Sequence, residues 1–299
     1  MLELKGMTTE TRNQSTMNLD EMTSLEIVTA MNMEDRNVPL AIEKVLPEIA
    51  KLVSLVEEAF NKGARLFYMG AGTSGRLGVL DASECPPTYG VTDQMVIGLI
   101  AGGDIALRYP VEGAEDSREL GKKDLEERGL TKDDVVVGIA ASGRTPYVLG
   151  GLDYAKSLGC HTAAISCNKG CAIGQAAEIA IEAEVGSEVL TGSTRLKSGT
   201  AQKLILNMIT TASMVRIGKA YQNLMIDVVQ SNEKLCTRAE NIVMEATGVE
   251  REVARHYIDE AQGSCKLAVT MILAGCDAET ATKRLKASKG HVKEAIKQI

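Results

Sequence analysis

The chain has 299 residues, 44% of them hydrophobic and 24% charged, and a formal net charge of −7. That balance fits a soluble globular protein with a sizeable aliphatic core, since there is no Trp and there are only two Phe. The acidic balance and the absence of Lys/Arg clusters interleaved with aromatics argue against a nucleic-acid partner. The longest apolar runs, such as 135–141 and 267–275, are too short to span a bilayer. An N-terminus without a signal-peptide core makes the cytoplasm the expected address, and the seven cysteines, odd in number and without scaffold spacing, are expected to be reduced. Cys167 and Cys171 lack C-x-x-C spacing, so no metal site is expected.

Residues 1–17 are polar and weakly patterned, and are expected to be mobile. Asn18 then precedes apolar residues at Leu19, Met22, Leu25, Ile27, Val28 and Met31, which predicts a capped amphipathic helix. A second helical stretch is predicted from Pro39 to Phe60, kinked or split at Pro47 and closed by Gly63. From there strands and helices alternate: strand 65–69, helix 76–84, strand 95–101, helix 116–128, strand 134–140, helix 147–158, strand 161–166, and a shorter strand over 178–183. That rhythm predicts an α/β fold with a doubly wound, mostly parallel sheet. Ser193 or Thr194 opens a long helix expected to reach about Gln222. The remainder reads as short helices broken near 247–249, 262–264 and 274–277. The predicted organisation is N-terminal helices over 1–60, a main domain over 61–230 and a small helical bundle over 231–299.

Two glycine-rich loops follow predicted strands, Gly70-Ala71-Gly72-Thr73-Ser74-Gly75-Arg76 and Ser142-Gly143-Arg144-Thr145-Pro146. Each joins a strand to a helix N-terminus, where backbone N–H groups and the helix dipole favour an anion, and Thr73, Ser74, Ser142 and Thr145 add hydroxyls. Neither has dinucleotide spacing or a P-loop lysine, so a small phosphorylated metabolite is the expected ligand; a plain tight turn is the alternative. Between the loops, Pro86-Pro87 is expected to stop the helix by Cys85. Glu84 would then lie at a helix C-terminus, where the dipole disfavours its anion, and would be suited to donate a proton. Glu115 precedes the next helix, where exposed N–H groups favour the anion, and would be suited to accept one. Carboxylates near helix ends are also commonly solvated caps.

The blocks Gly70 to Gly78, Asp81 to Thr88, Glu112 to Asp116, Ser142 to Tyr147 and Thr191 to Lys203 resemble the N-acetylmuramic acid 6-phosphate etherases. The likeness runs from the Asn18 segment to the C-terminal bundle. It implies a sugar isomerase (SIS) domain that holds a phosphosugar, and removal of the D-lactyl ether of N-acetylmuramic acid 6-phosphate during cell-wall recycling, without metal or redox cofactor. Carried over residue by residue, Glu84 matches the proton donor and Glu115 the second acid/base residue. Thr73, Ser74, Gly75, Ser142, Gly143, Arg144 and Thr145 would hold the phosphosugar, while Glu188, Ser193 and Thr194 match a further substrate-facing segment. SIS proteins commonly pair, which implies a homodimer. An aldose–ketose isomerase or a phosphosugar-sensing regulator would use the same cradle.

Overall fold

The computed structural model describes residues 7–230 and 232–297. Contacts group the chain into two compact units, 1–83 with 94–210, and 84–93 with 211–299.

The first unit opens with 3₁₀ turns at Thr8–Glu10, Gln14–Thr16 and Leu19–Glu21. Residues 7–17 are seated rather than loose, which corrects the expectation of mobility there; residues 1–6 lie outside the described residues. Thr9 and Asn168 bond to each other, Asn13 Nδ2 donates to the Ser187 carbonyl at 3.1 Å, and Thr16 Oγ1 donates to the Val189 carbonyl at 2.9 Å. Helix α1 (Ser24–Asp35) begins after Thr23 rather than Asn18, because Thr23 and Glu26 form a reciprocal capping box and Asn18 makes no side-chain cap. It buries no residue, so its apolar side chains are not the core face that their spacing suggests. Helices α2 (Asn37–Glu43) and α3 (Leu46–Asn61) are split beside Pro47, which takes the first turn of α3 where its missing N–H costs nothing.

Strands β1 (Leu66–Gly70), β2 (Val96–Ile100), β3 (Val135–Ile139), β4 (His161–Ser166) and β5 (Ile179–Glu182) form one parallel sheet in the order β2-β1-β3-β4-β5. Chain order reverses between β1 and β3, the topological switch point at which doubly wound sheets bind ligands. Between the strands run α4 (Gly72–Tyr89), α5 (Arg118–Glu127), α6 (Pro146–Leu158) and α7 (Ala172–Ala176). Alternate strand residues face opposite layers. Phe67, Met69 and Val136 join Leu125, Tyr147, Val148 and Leu152 in one core. On the other face α4 lies so close that a Cβ on Gly78 would be 3.0 Å from Tyr68 Cβ. Helix α8 (Lys197–Arg216) starts later and ends earlier than predicted. Gly218, at φ 79°, turns the chain into an unpredicted hairpin of β6 (Ala220–Tyr221) and β7 (Leu224–Met225).

The second unit holds that hairpin with α9 (Glu233–Thr247), α10 (Arg251–Glu260), α11 (Cys265–Ala274), α12 (Ala278–Ala287) and α13 (Val292–Ala295). Ile226, Ala239, Val243, Ala254, Ala268 and Val269 are among its buried core. The breaks fall where Gly248, Gln262-Gly263 and Gly275 take positive φ.

One buried ion pair secures the entry to the sheet. Asp134, 1% exposed, accepts from the Arg65 guanidinium at 2.7 Å, the Arg65 backbone N–H at 2.8 Å and the Thr131 N–H at 2.8 Å. Burial works against its charge, but the Arg65 and Thr131 donors outweigh it and hold the carboxyl below the ordinary aspartate range. Its stabilisation is therefore present above the unfolded value near pH 3.9 and lost as pH falls through the lower native one. Asp134→Ala is expected to cost about 3 kcal/mol in urea unfolding at pH 7, with the gap from wild type narrowing below about pH 4.

Candidate phosphosugar site

Each glycine loop follows one of the two strands at the switch point, and Gly70 is level with Ile139 in the register of β1 and β3. Both loops therefore leave the sheet side by side at its carboxyl edge. Glycine is required in the first by close approach: a Cβ on Gly75 would lie 2.6 Å from the Gly70 carbonyl oxygen and 2.7 Å from Ile100 Cγ1. In the second, Gly143 has φ 74°, and a Cβ there would strike Cys171.

Thr73, Arg76, Glu112 and Glu115 line one cleft of about 390 Å³ with Ala71, Gly72 and Val111. The cleft opens beside the first turn of α4, whose leading N–H groups have no partner within the helix. Arg76 fixes its far wall, donating from Nε to the Leu107 carbonyl at 2.9 Å and from a terminal nitrogen to the Ala106 carbonyl at 2.7 Å. Glu115 is exposed and sits in a separate 3₁₀ turn, Ala114–Asp116; the cap of α5 is Ser117, whose hydroxyl accepts the Leu120 N–H. The expected placement of Glu115 directly at that helix's N-terminus is thus displaced by one turn.

Ser142 and Arg144 line a second cleft of about 320 Å³ with Asn168, Lys169 and Gly170. Thr145 is the N-cap residue of α6, yet its hydroxyl makes no capping bond and remains available. The thiols offer no nucleophile here: Cys171 lies against Gly143, and burial pushes Cys167 up to about 12.

Other predicted residues are placed differently. Ser74 and Gly75 are buried, and the Ser74 hydroxyl donates to Gln202 Oε1 at 3.0 Å. Glu188, fully buried, caps α8: its carboxylate accepts the N–H groups of Lys197 and Ser198 at 3.0 and 2.9 Å, and the Ser198 hydroxyl at 2.9 Å. Ser193 and Thr194 lie in the turn before α8, not at its start. Glu84 groups with the second unit and is exposed. Helix α4 runs through Pro86 and Pro87 to Tyr89 and is closed by the Gly90 N–H on the Pro86 carbonyl at 2.9 Å. The prolines stop no helix at Cys85, and Glu84 does not occupy a C-terminal end.

Sequence reading did not single out Gln202, Arg76 or Lys197, which is 1% exposed and pairs with Glu34 at 2.6 Å. All three stand inside the blocks that carry the family resemblance, the only signal that marked them. Asp81, beside Glu84 in sequence, is buried; burial raises its carboxyl above the ordinary range despite bonds from Asn207, Thr210 and Tyr68.

Comparison with known proteins agrees with this geometry. Residues 48–156 match the glucokinase regulatory protein N-terminal SIS domain, and residues 124–212 match the SIS domain. A Bacteroides fragilis protein described as a phosphosugar isomerase involved in capsule formation shares the fold, with a TM-score of 0.51 and 17% identity over 67% of this chain and 95% of that one. Fold and loops together define a SIS-domain protein. The N-acetylmuramic acid 6-phosphate etherase of Actinobacillus pleuropneumoniae serotype 5b (strain L20) is 58% identical over 98% of this chain and 96% of its own. That of Bacillus cereus (strain G9842) is 55% identical over 98% of this chain and all of its own. The chain belongs to the N-acetylmuramic acid 6-phosphate etherase family.

Because Glu188 satisfies three donors at the start of α8, Glu188→Ala is expected to lower stability by about 1–3 kcal/mol, read by thermal or urea unfolding. Unchanged stability with a raised KM would instead make Glu188 a substrate contact.

Proposed function

We propose that the protein is an etherase that cleaves the D-lactyl ether of N-acetylmuramic acid 6-phosphate with water, giving N-acetylglucosamine 6-phosphate and D-lactate, in the recycling of cell-wall amino sugars. The observation that carries this reading is the identity of 58% with an N-acetylmuramic acid 6-phosphate etherase over 98% of the chain. The switch-point loops supply its physical basis. Backbone N–H groups at the start of α4, with Thr73, Ser74 and Gly75, and the second loop, with Ser142, Gly143, Arg144 and Thr145, suit a phosphate dianion. Ser193 and Thr194 would support the sugar from the segment leading into α8, the helix that Glu188 caps.

In the open-chain sugar the aldehyde acidifies the proton on carbon 2. Glu115, exposed in the cleft beside Thr73, takes that proton as general base. Glu84 protonates the ether oxygen on carbon 3 as lactate leaves, forming the unsaturated aldehyde. Water then adds at carbon 3 with the roles reversed, Glu84 accepting a water proton and Glu115 returning one to carbon 2, so that the net change is hydrolysis of one C–O bond. Nothing in this sequence calls for a metal or a redox cofactor.

Two features bear on the setting. Leu25, Val28 and Met33 on α1 and Leu40 on α2 are all more than half exposed, a continuous stretch of chain whose apolar side chains suit contact with a second copy in a homodimer. All seven cysteines are free thiols, as suits the cytoplasm, and among the described residues no helix is long and apolar enough to cross a membrane.

A D-lactate release assay tests the reaction. Glu84→Gln and Glu115→Gln are each expected to lose about 10²–10⁴-fold in kcat while still binding N-acetylglucosamine 6-phosphate. Near-wild-type turnover in either would remove that residue from the mechanism, and phosphosugar binding without any lactate release would favour a regulator. Light scattering is expected to show a dimer that Leu25→Glu with Val28→Glu converts to monomer.

A further inference from the structure

Gln202, on the second turn of α8, is fully buried, and its carboxamide is only half used. Oε1 accepts the Ser74 hydroxyl at 3.0 Å, while Nε2 is buried without an acceptor among the described residues. An idle buried N–H donor carries its full desolvation cost. The bond has a second consequence, because Ser74 spends its only proton on Gln202 and has none left for an anion.

A half turn of the carboxamide exchanges its nearly isosteric oxygen and nitrogen. Nε2 then donates to Ser74 Oγ, and the Ser74 proton is released toward a phosphate at the first turn of α4. The group left unpaired becomes the carbonyl oxygen, and the bond from Ser74 to the phosphate is what the ligand adds to favour this arrangement. The elements are close enough for this coupling: a Cβ on Gly199, in the first turn of α8, would lie 3.5 Å from Thr73 Cγ2.

We propose that Gln202 is a positioning residue of the phosphosugar site, turning its amide on ligand binding so that it donates to Ser74 and Ser74 donates to the phosphate. This rests on the reading of Thr73–Gly75 as a phosphate loop. The free and bound states then differ by one carboxamide rotation and not by movement of the backbone.

Gln202→Glu tests it, since a carboxylate of the same shape accepts from Ser74 but cannot donate. Binding of N-acetylglucosamine 6-phosphate and of inorganic phosphate is measured by calorimetry between pH 5 and 8, with KM and kcat for lactate release. The expected result is a Kd at least about tenfold weaker for both ligands at pH 8, a raised KM with kcat nearly unchanged, and partial recovery toward pH 5 as the new carboxyl gains a proton. In a Ser74→Ala background the Gln202→Glu penalty is expected to vanish. A penalty that persists there is charge repulsion alone and overturns the inference, as does wild-type binding by Gln202→Glu at every pH. Should Gln202→Glu not fold, Gln202→Met with and without Ser74→Ala gives the same coupling test. Wild-type protein that binds neither ligand would overturn the phosphosugar reading itself, not merely the role of Gln202.

Discussion

The close approach of α4 to the end of β1 is the constraint on which the candidate site depends. Gly70 leaves the strand with the Gly75 N–H 2.8 Å and the Ile139 carbonyl oxygen 2.9 Å from where its Cβ would be. No larger side chain at either glycine lets the helix start directly over the sheet edge. Because β3 is the neighbour of β1 in register, the second loop emerges beside the first, and the two helices that follow face opposite layers. The anion-favouring helix end is a result of how tightly the layers pack, not of any one side chain.

The first unit also carries buried polar groups that are paired with care. Asp134 is met by Arg65 and Thr131, Glu188 by the start of α8, Asp81 by Asn207 and Thr210, and Lys197 by Glu34. In a low-dielectric interior an unpaired member would be strongly destabilising, so each pair fixes the relative placement of two chain segments as well as satisfying charge. Gln202 belongs to this set by location, but only its Oε1 is used, by Ser74, while its Nε2 is buried without an acceptor among the described residues.

Most of the βα alternation was legible because strands buried on both faces read as short apolar runs punctuated by glycine, as in Leu66–Gly70 and Val135–Ile139. Boundaries failed where a local signal met a tertiary competitor. Asn18 is a good cap residue, but Thr23 with Glu26 three positions later satisfies two backbone groups reciprocally and wins. Pro86 and Pro87 lack the N–H groups of the last turns of α4, yet the chain there stays helical and buries Cys85. Side-chain type alone puts the start of α8 at Ser193 or Thr194. It lies at Lys197 because the capping carboxylate comes from Glu188, nine residues back along the chain from Lys197, a non-local partner that no spacing rule finds.

The sequence by itself determined the alternation of strands and helices, the two glycine loops, the breaks in the C-terminal bundle and, through its blocks, the family. These are local or contiguous properties: period, turn chemistry and residue order. Only the tertiary structure decided that Glu115 shares a cleft with Thr73, that Glu188 caps a helix, and that the Ser74 proton is held by Gln202. Each of those depends on residues that no local spacing rule joins, and for Glu188 and Ser74 burial also removes water as a competing partner and leaves geometry to choose which donor meets which acceptor.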